Sequence, residues 1–197
     1  MGKEAILGFI FAAVAVGCMV LAFASPYWVE SFDKFQGRFT KIGLWEVCFN
    51  DYTFYKDYKG KRYLGCWYIF SQEVRPIWEW LSPPWFISVQ VMVSFTLLIQ
   101  GLNAIALVLF LFKFFPKTLD YLILMSTAAI NLFAFGLILI ALIVFGVKKE
   151  DRSWVPRPDM NFLSWSYGLC CISGLACVVS AYLLHKASKK LDKELGY

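Results

Sequence analysis

The sequence predicts a membrane protein of four spanning α-helices, with a β-hairpin in the one long polar loop between the first two. Three observations carry this. Hydrophobic residues make up 59% of the 197-residue chain and charged residues only 17%, where a soluble domain usually has about 25% charged residues overall. Charge is absent between Glu4 and Glu30, between Glu79 and Lys113, between Asp120 and Lys148, and between Asp159 and Lys186. Each gap exceeds the roughly 20 residues that cross a bilayer as helix. Finally, Cys48 and Cys66 stand together in the long interval between the first two gaps.

The spans are expected near 5–24, 86–112, 121–147 and 162–184, with loops near 25–85 and 148–161 and a tail over 185–197. Lys3 before an apolar run, and Ala22-Phe23-Ala24 after it, imitate a secretory signal. The run is too long for the apolar region of such a signal, so it reads as the first span. Gln90, Gln100, Asn103 and Asn131 lie inside spans with no charged partner at depth, which predicts hydrogen bonds between helices rather than a pore. Small residues four apart, Gly8 with Ala12, Ala13 with Gly17 and Ser164 with Gly168, predict close helix approach. Trp28, Trp78, Trp80 and Trp85 fall where an aromatic belt meets headgroups, and the belt is the expected role of Trp80 and Trp85.

Four spans put both termini on one side. The lysine and arginine bias is weak, but a disulfide in the first loop persists only on an oxidising face. That loop is therefore expected outside and both termini in the cytoplasm. Cys18, Cys170, Cys171 and Cys177 lie within spans and read as packing.

Within the first loop, "GRFTKIGLWEVCF" and "KRYLGCWYIF" are rich in β-branched and aromatic residues, and "YKDYKGK" between them supplies a turn in which Gly60 can take positive φ. Pairing these segments as a hairpin brings Cys48 opposite Cys66, where a disulfide would lock the register. Closing a loop of that length contributes about 3 kcal/mol in the chain-entropy model.

Trp28, then Gly43-Leu44-Trp45, then Cys48 and Cys66 between spans one and two resemble the W, G-L-W, C, C signature of the claudin and PMP22 tetraspan family. Among its branches the chain looks most like the invertebrate claudin-like proteins of septate junctions. The resemblance implies a four-helix transmembrane bundle with a small extracellular antiparallel sheet, most strands from the first loop and one from the second, and Cys48 bonded to Cys66. It implies a structural junction protein in the plasma membrane at lateral cell contacts, assembling with itself or other claudin-like proteins in the same and the opposing membrane and limiting paracellular diffusion across an epithelium. The same signature extends to accessory γ-type subunits of channels and receptors and to PMP22-like membrane organisers, which form the alternative reading.

The chain departs from that pattern in three places. The Cys48 to Cys66 interval is longer than in vertebrate claudins; "EVRPIWEWLSPPWF" is rich in Trp and Pro, with Arg75 matching an arginine that they keep; and the chain ends in Tyr197 rather than Tyr-Val. The last point leaves capture by a cytoplasmic scaffold open. Tyr52, Phe54, Tyr55 and Tyr58 are the expected contacts across the intercellular gap, by analogy with aromatic anchors at interfaces. Lys56, Lys59, Lys61 and Arg62 are the candidate charge-selecting residues, because like charge within about 8 Å is felt in physiological salt. No carboxylate pair, metal-ligand cluster, phosphate loop or serine elbow appears in the sequence, and His185 is the single histidine. No enzyme activity, cofactor or nucleic-acid partner is expected; the lipid bilayer is, with His185, Lys186, Lys189, Lys190 and Lys193 facing anionic headgroups.

Overall fold

A computed structural model describes residues 2–32, 38–54 and 60–195, with the side chains of Lys117, Glu194 and Leu195 outside that description. Among the described residues, four helices are long and apolar enough to cross a membrane. In chain order the helices are α1 (Lys3–Ala24), a short α2 (Trp78–Leu81) after a 3-10 segment over Gln72–Ile77, α3 (Pro84–Leu111), α4 (Asp120–Lys148) and α5 (Trp165–Leu195). Their ends follow local chemistry. Proline opens α3, where its missing N–H costs nothing, and α4 begins with Asp120 and closes on Lys148, each complementing the helix dipole.

The fourth spanning helix differs from the expected 162–184 at both ends. Residues Asn161–Leu163 form a strand instead, β5 of the sheet described below, and the helix runs through the expected tail to Leu195. Lys and Leu are good helix formers. The added turns also pack: Leu184 and Ala187 are buried and Leu191 partly so, in a cluster with Ala5, Phe110 and Leu124.

The chain forms two compact units, one from residues 1–20, 92–140 and 170–197, the other from 21–91 and 141–169. The first is helical. A Cβ on Gly8 would lie 2.7 Å from the Leu184 side chain, so α1 and α5 approach at a position only glycine fits. The other two small-residue pairs are not used this way, since a Cβ on Gly17 or Gly168 would meet nothing within 4 Å. Polar side chains tie helices together as expected: Asn131 Nδ2 donates to Ser180 Oγ at 3.2 Å, Ser180 Oγ to the Gly8 carbonyl at 2.8 Å, and Gln100 Nε2 to Ser173 Oγ at 3.3 Å.

The second unit carries a five-stranded antiparallel sheet in the order β4-β3-β2-β1-β5, with β1 (Val29–Ser31), β2 (Phe39–Ile42), β3 (Glu46–Thr53) and β4 (Arg62–Tyr68) before β5. Four strands come from the first long loop and one from the second. Along β3 and β4, Val47 pairs with Trp67 and Cys48 with Cys66, and the register shifts between Phe49 and Tyr52. At that shift Asp51 takes φ 53° and Gly65, opposite Phe49, φ 91°, the left-handed conformations that a bulge needs. Gly60, at the close of the hairpin turn, takes φ 61°, the role its residue type suggested.

Candidate functional site

The site is the hairpin and the collar of signature residues that holds it to the helix ends. Cys48 and Cys66 are bonded, with Cα atoms 4.0 Å apart, directly opposite each other across β3 and β4. Glu46 Oε1 lies 3.8 Å from Cys48 Sγ. Both sulfurs are spent in the disulfide, so neither offers the thiolate that a metal site would need.

Each signature residue has a physical task. Trp28 is fully buried. Its indole N–H donates to the Ala22 carbonyl at 2.7 Å, in the last turn of α1, where carbonyls lack helical partners. Its ring stands edge-on to Phe145 at 4.8 Å, and its backbone N–H donates to the Ile42 carbonyl while its own carbonyl accepts from Ser164. One residue thereby fixes the end of α1, strand β2 and the entry to α5.

Gly43 admits no side chain, because a Cβ there would lie 2.5 Å from both the Pro26 Cα and the Ser25 carbonyl oxygen. Leu44 is fully buried, and its carbonyl accepts a hydrogen bond from Gln90 Nε2 at 2.5 Å. Gln90 therefore serves the signature turn, where the sequence suggested a helix–helix bond. Trp45 packs between Phe23 at 5.1 Å and Phe70 at 6.2 Å.

The hairpin corrects one expectation. Tyr52 and Phe54 were expected on an exposed tip, but both are buried. Tyr52 stacks between Phe49 at 4.9 Å and Trp80 at 5.8 Å, and Phe54 lies 5.1 Å from Trp80. The cause is α2, which brings Trp80 against the far half of β3. Trp80, expected in the aromatic belt, is thus packed within the second unit. Tyr55, Tyr58, Lys56 and Lys59 lie outside the described residues.

The remaining cations are engaged. Arg62 pairs with Asp51 at 3.6 Å, while Lys61 Nζ donates to the Glu73 carbonyl at 2.8 Å and lies 5.2 Å over the Tyr63 ring. Arg75 is exposed in the 3-10 segment. The second loop is similarly mixed in charge: Arg152 faces Asp159 at 3.5 Å and Lys149 pairs with Glu150. Asp151 accepts from the hydroxyl and backbone N–H of Ser153, which hold its carboxyl below the usual range.

Two anchors escaped the sequence reading. Trp154 is buried, donates its indole N–H to the Leu81 carbonyl at 3.1 Å and meets Trp85 edge-on at 4.7 Å. Ser164 Oγ donates to Glu30 at 2.9 Å, joining β1 to the segment after β5. A serine in an apolar run gives no hint of a partner 134 residues away.

A comparison with curated proteins found no match. The family model described as PMP-22/EMP/MP20/Claudin tight junction matches residues 6–185, a stretch that takes in the sheet, the Cys48–Cys66 bond and all or most of each described spanning helix. With the signature residues closing the join of sheet and helices as described, the chain belongs to the PMP-22/EMP/MP20/claudin family of multi-pass membrane proteins.

Proposed function

We propose that this protein is a claudin-like component of septate junctions, set in the plasma membrane at lateral cell contacts with both termini cytoplasmic, and that it assembles to restrict diffusion between cells. The observation supporting this reading is the stapled sheet, in which Cys48–Cys66 and the Gly43–Trp45 turn fix a rigid platform on the helix ends. A rigid platform tethered in a membrane meets its neighbours at high local concentration, so individually weak contacts add up along a row. Edge strands β4 and β5, each hydrogen-bonded to one neighbour among the described residues, offer backbone for such contacts.

In this reading Tyr55 and Tyr58 make the contacts with the opposing membrane. Lys56 and Lys59, with Lys61 and Arg62, set a mildly cationic field tempered by the Asp51 pair. Its partners are the bilayer, further copies or other claudin-like chains, and other junction proteins. The test is mixed culture of expressing and non-expressing cells with the tagged chain. Enrichment only where both cells express it is expected. Equal distribution over all surfaces, with stable copurification of a channel, would favour the accessory-subunit reading instead.

A further inference from the structure

The His185 ring meets the Met125 side chain where α4 and α5 pack together. Its Nδ1 lies 3.4 Å from the Met125 sulfur, and Leu124 and Leu184, the residues just before each in the chain, are buried in one cluster of the helical unit. A thioether has no hydrogen to give, so a hydrogen bond here needs the proton on Nδ1. Ser188 Oγ is 4.0 Å from the same sulfur, but its hydroxyl donates to the His185 carbonyl at 2.8 Å. The imidazole N–H thus points at a weak acceptor.

Accessibility singles out this sulfur. Of the methionines, Met19 is fully buried and Met125 is 39% exposed, with Met92 and Met160 between them; Met1 lies outside the described residues. Met125 stands in the second turn of α4, behind Asp120 and about 8 Å of helix from that charged end. A small polar oxidant reaches it from the aqueous side. One added oxygen changes the contact in kind, because a sulfoxide is polar where the thioether is soft and apolar.

We propose that Met125 is a reversible oxidation site, its thioether converted to the sulfoxide by hydrogen peroxide and the new oxygen held by the His185 Nδ1–H, which fastens α4 to α5. A sulfur lone pair attacks one peroxide oxygen, the S–O bond forms as the O–O bond breaks, and the departing hydroxyl takes the remaining proton and leaves as water. Sulfur gives up two electrons and the peroxide gains them. A methionine sulfoxide reductase reverses the step, two of its thiols closing to a disulfide as the oxygen leaves as water.

The test treats the full chain in nanodiscs with hydrogen peroxide, reading each methionine by peptide mass spectrometry and the His185 ring by nitrogen NMR. His185 is the single histidine, so histidine labelling, with a purification tag free of histidine, gives one imidazole to follow. Met125 should oxidise severalfold faster than Met19, and the Nδ1 signal should shift on the same time course and return on reduction. Met125→Leu, close in volume and so tolerated, should abolish the shift. Amide exchange in the first turns of α4 should slow on oxidation in the native chain and not in His185→Phe. Oxidation of Met125 no faster than Met19, an Nδ1 signal indifferent to oxidation or shifted equally in Met125→Leu, or equal slowing of exchange in His185→Phe, would overturn the proposal.

Discussion

A Cβ on Gly43 would sit 2.5 Å from two backbone atoms of the segment leaving α1, so this glycine is set by its neighbours' backbone rather than by turn geometry. Gly43→Ala should destabilise the chain by at least the 1–3 kcal/mol typical of overpacking. Gly17→Ala, on an exposed face with open space around it, should be neutral or stabilise by up to about 1 kcal/mol. Thermal melts of the two variants in nanodiscs check the contrast. Trp28→Phe keeps the ring packing but strands the Ala22 carbonyl, at about 1–3 kcal/mol. Titration of Asp151 gives a pH signature. Because its folded-state carboxyl is held below its ordinary value, its bonds to Ser153 are complete at neutral pH. They are lost only as pH falls through the lowered value, and the protection of the Ser153 amide, taken relative to intrinsic exchange at each pH, should drop there and not above.

At the scale of elements, the hairpin was legible because its signals are local: two β-rich segments, a turn with Gly60, and cysteines placed to face each other. The Cys48–Cys66 bond and the register agree with them. Cys48→Ser and Cys66→Ser should each lose about 3 kcal/mol, read as an earlier melt and reduced delivery to the cell surface. Both losses should be alike, since either change opens the same loop. What was not legible depended on distant partners. The burial of Tyr52 and Phe54 follows from Trp80, and the bond from Gln90 to the Leu44 carbonyl joins positions 46 apart. The helical character of residues 185–195 was hidden for a different reason: their lysines mark the end of the apolar span, yet the stripe Leu184, Ala187 and Leu191 carries the helix onward.

At the scale of the whole molecule, four charge-free gaps in the sequence correspond to four membrane-length helices among the described residues, and the family model spans residues 6–185. Spanning helices are plain in sequence because the bilayer forces every backbone group to be satisfied within the segment. A junction of the proposed kind would not be encoded in any such local rule. It would depend on weak contacts multiplied along a row, in the proposed case through the edge strands and through Tyr55 and Tyr58. The barrier reading makes the stapled sheet, rather than a path through the helices, the working part. The most direct measurement is the leak of a small fluorescent dextran across an epithelium lacking this protein, with cell polarity monitored alongside. The barrier account predicts a leak in polarised cells, restored by the intact chain and not by Cys48→Ser; an epithelium that stays tight without the protein would contradict it.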